Sequence, residues 1–403
     1  MQQRLVIVGA GFAGMYAALS AARLRDAQGV SPEQLEIVMV APEPTLAVRP
    51  RLYEARPEML GAPLRPVLDA IDVLFVRGYA EAVDTAARSI AVVDPGGERE
   101  TIVYDTLVIA TGSRLFRPPL PGLAEYGFSV DQLDEAIALD RHLHDLARRP
   151  VSGARNTVVV AGGGFTGIEA ATEMPGRLRG ILGAEAPIRV VIAERGPVIA
   201  PDMGEGPRPI IEKALLDLGV ETRLGSGVVS LDANGITLGD GERIESHTVI
   251  WAAGMRAAPL TALIPGERDN FGRLIVDREL RVVGVPGVFA TGDAAKAVID
   301  DAGNHALMSC QHATRMGAFA GNNAAADLLG LPARLYRQTA YVTCLDLGAA
   351  GAVFTRGWDR AVELVGMDAK KLKQEINTVW IYPPKAERGA ALASADPERV
   401  TDL

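Results

Sequence analysis

The sequence predicts an α/β protein with two doubly wound domains built on parallel sheets, followed by a small α+β domain. Two observations carry this prediction. An apolar strand, a glycine-rich turn and an Ala-rich helix occur near the N-terminus, and the same unit recurs about 153 residues later. Each unit is followed by a further apolar segment that ends at glycine. The 403 residues suffice for two or three domains, each with its own core.

The first unit comprises a strand at residues 5–8, a turn at residues 9–14 and a helix that follows. In such a unit the first glycine forms the turn, the second lets the backbone approach a pyrophosphate, and the third lets the helix pack on the strand. The helix N-terminus then faces the phosphates. Gly9, Gly11 and Gly14 are therefore predicted to bind a dinucleotide.

The second unit has its strand at residues 157–161, and Gly162, Gly164 and Gly167 stand at the equivalent positions. The next strand ends at Glu194, where a carboxylate can accept both hydroxyls of a ribose and repel a 2′-phosphate. This favours NADH over NADPH, although Arg195 beside it could hold such a phosphate. Two Rossmann-like units in one chain imply two bound dinucleotides.

Proline and glycine clusters mark the domain boundaries. They lie at residues 117–122 and 284–287 and bracket the second unit, which we therefore expect to be inserted into the first domain. The predicted domains are residues 1–118 with 285–335, residues 119–284, and residues 336–403. The polar tail after Pro384 is expected to be disordered.

Charge and cysteine content exclude several classes of protein. The net charge of −9, from 41 Lys and Arg against 50 Asp and Glu, disfavours nucleic acid as a partner. Cys310 and Cys344 form neither a disulfide framework nor a CxxC pair, which favours a reducing, cytoplasmic location. The N-terminus lacks a signal-peptide layout.

His142 and His144 cannot share one helical face, so no metal site is expected.

The two glycine motifs resemble those of the glutathione reductase-like flavoproteins that bind FAD first and NAD(P)H second. The most similar family is that of the type II NADH dehydrogenases, or NADH:quinone oxidoreductases. Residues 287–294 (GVFATGDA) are the most specific element, because they resemble the second FAD motif of these proteins. By this resemblance Gly292 and Asp293 contact FAD, and Asp293 binds the ribityl chain. The resemblance implies that NADH passes a hydride to N5 of FAD, which then reduces a second acceptor.

The resemblance also assigns candidate catalytic residues. Glu169 matches a family glutamate close to the nicotinamide and flavin that handles protons on the quinone side; the alternative is a charge in the first turn of a helix. Gln311 matches the first of two glutamines at the flavin and quinone site, and Arg315 replaces the second. His312 is either a helix-surface residue or a proton donor.

Further residues that follow strands of the first two domains are predicted to contact a cofactor. FAD-binding domains usually carry a ribose-binding acid at the end of their second strand, where this chain has Ala41. Glu43, two residues later, either reaches the ribose instead or is a solvated loop acid. The closing strands of the two domains end at glycine. The remaining predicted contacts are Arg49, Thr111, Gly112 and Gly254.

A quinone is the leading acceptor. Disulfide reductases are excluded because no cysteine precedes Cys310, and sulfide:quinone reductases because Cys344 has no suitable partner. A ferredoxin- or rubredoxin-type reductase is the alternative, although residues 48–53 lack the lysine of the flavin-dependent ferredoxin reductases. Direct reduction of oxygen ranks third, and an NADH-sensing flavoprotein without efficient turnover is a further alternative.

Association with a membrane or a second copy is left open by the sequence. A helix near residues 369–376 carries Lys370, Lys371 and Lys373, with Trp380 nearby, and could touch the inner face of a membrane. We interpret these lysines as a solvated basic face instead. A homodimer is the other association left open.

Overall fold

The computed structural model describes residues 2–399. Its α-helices are α1 (Phe12–Ala27), α2 (Arg65–Ala70), α3 (Leu123–Tyr126), α4 (Leu133–Asp145), α5 (Gly153–Asn156), α6 (Phe165–Leu182), α7 (Arg208–Asp217), α8 (Cys310–Leu328), α9 (Gly366–Glu375) and α10 (Arg388–Ser394). Its strands are β1 (Gln3–Val8), β2 (Leu35–Ala41), β3 (Thr45–Ala47), β4 (Gly61–Pro63), β5 (Leu74–Arg77), β6 (Tyr79–Asp84), β7 (Ser89–Val93), β8 (Arg99–Val103), β9 (Thr106–Ile109), β10 (Ser113–Leu115), β11 (Gly127–Phe128), β12 (Thr157–Ala161), β13 (Arg189–Glu194), β14 (Val220–Leu224), β15 (Val228–Asp232), β16 (Gly235–Leu238), β17 (Arg243–Glu245), β18 (Thr248–Trp251), β19 (Met255–Ala257), β20 (Leu274–Ile275), β21 (Val288–Ala290), β22 (Ala295–Lys296), β23 (Val342–Asp346), β24 (Ala352–Arg356) and β25 (Ala361–Val365).

The first parallel sheet has the strand order β21-β9-β1-β2-β5. Residues of β9 and β21 are buried throughout, as expected for parallel strands covered on both faces. The chain leaves this sheet after β9 and returns only at β21. Everything between these two strands is therefore an insertion with respect to the first sheet.

The second parallel sheet has the order β11-β18-β12-β13-β14 and is formed entirely within that insertion. Its central strand β12 is an apolar, β-branched run that is completely buried. A small antiparallel sheet, β15-β16-β17, packs its apolar side chains against Val249 and Trp251 of β18. The predicted fold class is confirmed. Two parallel sheets are present, and in each sheet a glycine turn leads from a strand into a helix.

Helices α1 and α8 cross in backbone contact, and this crossing requires glycine. A Cβ atom at Gly317 would lie 2.3 Å from the carbonyl oxygen of Ala13, and one at Gly321 would lie 2.0 Å from that of Ala17. Because both contacts advance together along the two helices, α1 and α8 run in the same direction. Their N-termini therefore lie at the same end of the first domain.

The C-terminal region forms a three-stranded antiparallel sheet, β23-β24-β25, and then α9, which continues as a π-helical turn at Ile376–Trp380. The prediction of a disordered tail after Pro384 is wrong for α10, which packs on α1 and α2. Its Ala391 and Leu392 and the following Ala395 are buried in the core of the first domain. The last part of the predicted tail, residues 400–403, lies outside the described residues.

Two kinds of feature are absent from residues 2–399. No helix in this range is both long and apolar enough to cross a bilayer. In the same range, no group of three or more His, Cys, Asp or Glu side chains is arranged to hold a metal ion.

The α1–α8 crossing generates a stability prediction. Gly321→Ala should lower the free energy of unfolding by about 3 kcal/mol, because its methyl group must push two backbones apart. Thermal unfolding followed by circular dichroism measures this change. The control is Gly180→Ala on α6, because a Cβ at this position meets no described atom within 4 Å. This substitution should stabilise the helix by about 0.5–1 kcal/mol. Equal stability of the two variants would show that the crossing is not sterically constrained.

Candidate functional site

One large cleft, about 3000 Å³ in volume, is lined by residues of both parallel-sheet domains and of the C-terminal region. The structure brings most of the predicted site residues to this cleft. Those that line it are Gly9, Gly11, Glu43, Arg49, Thr111, Gly112, Gly162, Gly164, Glu169, Glu194, Gly254, Asp293 and Gln311.

The predicted glycines outside the cleft lining lie at close backbone or helix contacts behind it. A Cβ at Gly14 would lie 1.9 Å from the Gly9 carbonyl oxygen, and one at Gly167 would lie 2.0 Å from that of Gly162. These are the third glycines of the two motifs, whose role is to let helix approach strand. Gly292 similarly contacts the first turn of α1, with its Cβ position 2.7 Å from the Ala13 methyl group.

The first glycine turn exposes backbone to the cleft. Gly9 has a φ of +117°, and its Cβ position is filled by the carbonyl of Ala110, so only glycine fits there. Gly11 lines the cleft, and no described atom lies within 4 Å of its Cβ position. The turn leads directly into α1, whose first backbone N–H groups face the cleft end. This geometry fits a pyrophosphate group.

The second glycine turn is tied to Glu194 at the end of β13. The N–H of Gly163 donates to Glu194 Oε2 (2.7 Å), and the N–H of Gly196 donates to Oε1 (2.6 Å). Two backbone donors thus hold the carboxylate at the cleft wall beside the turn. The predicted contact between Glu194 and a ribose stays a prediction.

Asp293 lies in a short 3₁₀ turn at Gly292–Ala294, where it faces residues of the first domain. Its Oδ2 atom accepts a hydrogen bond from the Ser113 hydroxyl (2.6 Å) and lies 3.6 Å from Arg49 Nη1. Arg49 also pairs with Asp131. Burial raises the pKa of Asp293, and the nearby Arg49 charge opposes this rise.

Two threonine hydroxyls near this carboxylate, those of Thr111 and Thr291, are buried without a hydrogen-bond partner among residues 2–399. Thr111 lines the cleft. A buried hydroxyl without a partner costs free energy that a polar ligand atom could recover. The donor set therefore fits a flavin, whose ring and ribityl chain carry many polar atoms.

Glu43 lies at the edge of the cleft and is more than half exposed. Its carboxylate pairs with Arg77 at the end of β5. Its predicted contact with a ribose stays a prediction.

Glu169 is buried and receives its partners from the C-terminal region. Lys373 Nζ donates to Glu169 Oε1 (2.8 Å), and the Asp346 N–H donates to the same oxygen (3.1 Å). Burial raises the pKa of Glu169 to about 7, although Lys373 opposes this rise. The alternative interpretation, a charge in a first helical turn, is wrong, because α6 begins at Phe165 and its first turn carries no acid.

The lysines of α9 are not the solvated basic face that the sequence suggested. Lys373 is buried and also donates to the Cys344 carbonyl (2.9 Å). Lys370 donates to both carboxylate oxygens of Asp346, at 2.5 and 2.7 Å. Only Lys371, among the three, is exposed. Lys370 and Lys373 share one helical face because they are three residues apart, but local sequence could not identify that face as the cover of Glu169.

Tyr53 belongs to the same cluster and was also missed from sequence. Its hydroxyl donates to Asp346 Oδ2 (3.2 Å), and its backbone carbonyl accepts from Arg177 Nη1 (2.9 Å). Burial, followed by the Glu169 and Asp346 charges, raises its pKa well above the ordinary value. The cluster behind Glu169 thus contains residues from all three parts of the chain.

Gln311 lies in the first turn of α8 and faces the cleft. The Val342 N–H approaches its Oε1 atom at 3.5 Å, which leaves the amide nitrogen available to a ligand. His312 does not lie on a helix surface: it is buried against Tyr341 and Trp358. Burial and the Arg360 charge lower its pKa to about 4, so it is neutral at physiological pH.

The two cysteines line the cleft but are both free. Burial raises the pKa of both thiols, and that of Cys344 reaches about 12. Because the thiolate is the reactive form, these thiols are chemically inert near neutral pH.

Comparison with known proteins agrees with this architecture. Residues 3–317 match the family model described as pyridine nucleotide-disulphide oxidoreductase. An NADH dehydrogenase-like protein of Mycobacterium tuberculosis (strain H37Rv) is 46% identical over 397 residues, which cover 98% of each chain. The demethylphylloquinone reductase NdbB of Synechocystis is 29% identical and covers 87% of this chain and 86% of its own.

Solved structures show the same fold at low sequence identity. NDH2 from Plasmodium falciparum in complex with NADH superposes with a TM-score of 0.79 at 15% identity, over 98% of both chains. The sulfide:quinone oxidoreductase of Aquifex aeolicus superposes with a TM-score of 0.75 at 18% identity, over 96% of this chain and 92% of its own. The family match across residues 3–317 and the full-length relative establish that the chain belongs to the pyridine nucleotide-disulphide oxidoreductase family and is an NADH dehydrogenase-like enzyme.

Proposed function

We propose that this enzyme binds FAD, oxidises NADH and passes the electrons to a quinone. The observation that carries the proposal is the continuity of the cleft, which is lined by both glycine turns, by Asp293, and by Glu169 and Gln311. Bound FAD would supply the hydride and electron chemistry, while the protein supplies orientation and electrostatics. The relatives named as quinone reductases support the choice of acceptor.

The first domain, residues 1–118 with 285–335, would hold FAD. Gly9 and Gly11 would receive the pyrophosphate at the N-terminus of α1. Asp293 would accept hydrogen bonds from ribityl hydroxyls, and Arg49 and Ser113 already fix the orientation of its carboxylate. Thr111 and Gly112 would contact the flavin from the end of β9, and Glu43 the adenosine ribose.

The second domain, residues 119–284, would hold NADH. Gly162 and Gly164 would receive its pyrophosphate at the N-terminus of α6, and Glu194 its adenosine ribose. Gly254 lies at the end of the closing strand β18 and lines the same cleft. The cytoplasm, which supplies NADH and keeps both free thiols reduced, is the compartment this proposal assigns.

Glu169 and Gln311 would serve the acceptor. Reduction of a quinone to a quinol consumes two protons, and a carboxyl with a pKa near 7 can donate one at physiological pH. Lys373 lies 2.8 Å from that carboxyl and would stabilise the carboxylate that proton donation leaves. The free amide of Gln311 could donate a hydrogen bond to a quinone carbonyl.

Loss of Asp293 should release the flavin. We expect purified protein to be yellow and to release FAD on denaturation, whereas Asp293→Ala should lose most of its FAD because the ribityl hydroxyls lose their hydrogen-bond acceptor. Absorbance at the flavin band relative to protein measures occupancy. Asp301→Ala, which removes a fully exposed acid, is the control and should retain FAD. Full occupancy in Asp293→Ala would contradict the ribityl assignment.

Glu194 should set the nucleotide preference. We expect the kcat/KM for NADH to exceed that for NADPH roughly tenfold, about 1.4 kcal/mol, because a 2′-phosphate would face the Glu194 carboxylate. Glu194→Gln should reduce this ratio in steady-state assays with both nucleotides. An equal efficiency of the wild-type enzyme with NADH and NADPH would instead assign control of the pocket to Arg195.

Glu169 should act in acceptor reduction. In stopped-flow experiments, Glu169→Gln should slow flavin oxidation by a quinone more than flavin reduction by NADH, since hydride transfer needs no acid at this position. In the wild type, flavin oxidation should be fast below a pH of about 7 and fall above it as Glu169 ionises. The variant should lack this transition.

The matched control is Glu173→Gln, one helical turn further along α6 and outside the cleft lining. It should leave the pH dependence of flavin oxidation unchanged. Equal slowing of both half-reactions by Glu169→Gln would indicate a structural role, and no effect on either would remove Glu169 from the mechanism.

A further inference from the structure

We propose that residues 388–399, here called the C-terminal strap, close the end of the cleft that is lined by α8. By closing it, the strap restricts the electron acceptor to compounds without a long apolar tail. The inference rests on the proposed quinone reduction and names the substrate class of that site. It arises from the contacts of α10 and the residues after it.

The first half of the strap is anchored to α1 and α2. The buried side chains of α10 belong to the core of the first domain. Arg388 pairs with Asp26 (2.8 Å) and Asp72 (2.6 Å), one on α1 and the other just after α2. Arg23 of α1 pairs with Asp396 beyond the end of α10. Apolar burial and ion pairs therefore hold this half along its length.

The second half of the strap reaches α8 and the segment after it. Arg334 pairs with Glu398 at 3.0 Å, and Arg337 lies 3.6 Å from the same carboxylate. Arg315 of α8 donates from Nη1 to the Arg399 carbonyl (2.9 Å) and from Nε to the Arg337 carbonyl (3.2 Å). The strap thus bridges α1 and α8, the two helices whose N-termini lie at the dinucleotide site.

The strap forms part of the cleft wall. Ser394, Asp396, Pro397 and Arg399 line the cleft, as does Tyr16 of α1. Six residues of α8 line the cleft, and four of them, Gln311, Thr314, Arg315 and Ala318, share one helical face. Gln311 and Ala318 are seven residues apart, so this face is about 10 Å long. The strap contacts α8 at Arg315, four residues from Gln311, so a quinone ring at Gln311 has about 6 Å along α8 before its substituent meets the strap.

The charge at this end of the cleft reinforces the steric limit. Arg315, Asp396 and Arg399 all line it, and Glu398 lies beside them in the strap. An apolar tail placed here would displace water from ionised groups and offer them no hydrogen bonds, which costs free energy. A polar or unsubstituted ring meets neither penalty. The acceptor class that fits is a quinone with little or no side chain.

The test compares two benzoquinones with the same head group, 2,3-dimethoxy-5-methyl-1,4-benzoquinone and its 6-decyl derivative, as acceptors for NADH oxidation. The wild-type enzyme should reduce the unsubstituted quinone with at least a tenfold higher kcat/KM than the decyl quinone. Arg23→Ala/Arg388→Ala, which removes strap ion pairs but no cleft-lining residue, should raise kcat/KM for the decyl quinone at least fivefold. Its kcat/KM for the unsubstituted quinone should stay unchanged.

Two further variants make the result decisive. A chain that ends at residue 386 removes the strap entirely and should show the same change as the double variant, with FAD content and flavin reduction by NADH reporting that it is folded. Arg65→Ala, which removes an exposed i,i+4 ion pair elsewhere, should behave as wild type. Hydrogen–deuterium exchange of residues 388–399 measures release of the strap in the double variant.

The possible failures are distinguishable. A wild-type enzyme that reduces both quinones equally well, or an acceptor ratio that stays unchanged when the strap is released or deleted, overturns the role of the strap and leaves NADH:quinone oxidoreduction standing. Rapid flavin reduction by NADH without oxidation by either quinone would overturn the proposed acceptor, and the inference about the strap with it. Absence of flavin reduction by NADH would overturn the proposed function itself.

Discussion

The buried ion pair between Glu169 and Lys373 is the interaction on which the junction between α6 and the C-terminal region depends. Placing two charges in the interior carries a large desolvation cost, which only close geometry and additional hydrogen bonds can offset. Both conditions are met: the pair is 2.8 Å apart, Asp346 donates its backbone N–H to Glu169, and Lys373 also donates to the Cys344 carbonyl. Removal of the Glu169 side chain would leave the Lys373 charge buried without this partner, at a cost of roughly 3–5 kcal/mol.

This pair also fixes how the C-terminal region meets the second domain. Glu169 belongs to α6 and Lys373 to α9, while β23 supplies the backbone groups that complete the hydrogen bonds. Gly348 reinforces the junction, because its Cβ position lies 2.3 Å from the Thr172 carbonyl oxygen on α6. Glu169 therefore owes its hydrogen-bond partners to residues about 200 positions later in the chain, while burial raises its pKa.

The sequence predicted the parts of the site that depend on local geometry. A glycine turn between strand and helix needs only neighbouring residues, so both turns and the acid at the end of β13 were identified without a structure. Asp293 was identified through a contiguous motif. Lys373 was not, because its role arises only when α9 packs on α6. The position of His312 in a helix likewise could not reveal that Tyr341 and Trp358 would bury it.

The tail illustrates a second limit of local prediction. Residues after Pro384 are polar on average, yet Ala391, Leu392 and Ala395 present one apolar face to α1. A helix of seven residues is too short to be stable alone, so its formation depends on the surface that receives it. The sequence of the tail alone does not show which surface of the protein receives this helix.

These observations divide the chain by chemical task. The match to the family model ends at residue 317, and it includes both glycine turns, Asp293, Glu169 and Gln311. Lys373, Asp346 and the strap all lie beyond that point, although the Mycobacterium relative covers this region as well. The matched region therefore contains both glycine turns and Asp293, which are the residues that we propose to hold the two dinucleotides. The last part of the chain supplies the hydrogen-bond partners of Glu169 and part of the cleft wall, so substitutions there can reshape that part of the cleft without altering the glycine turns.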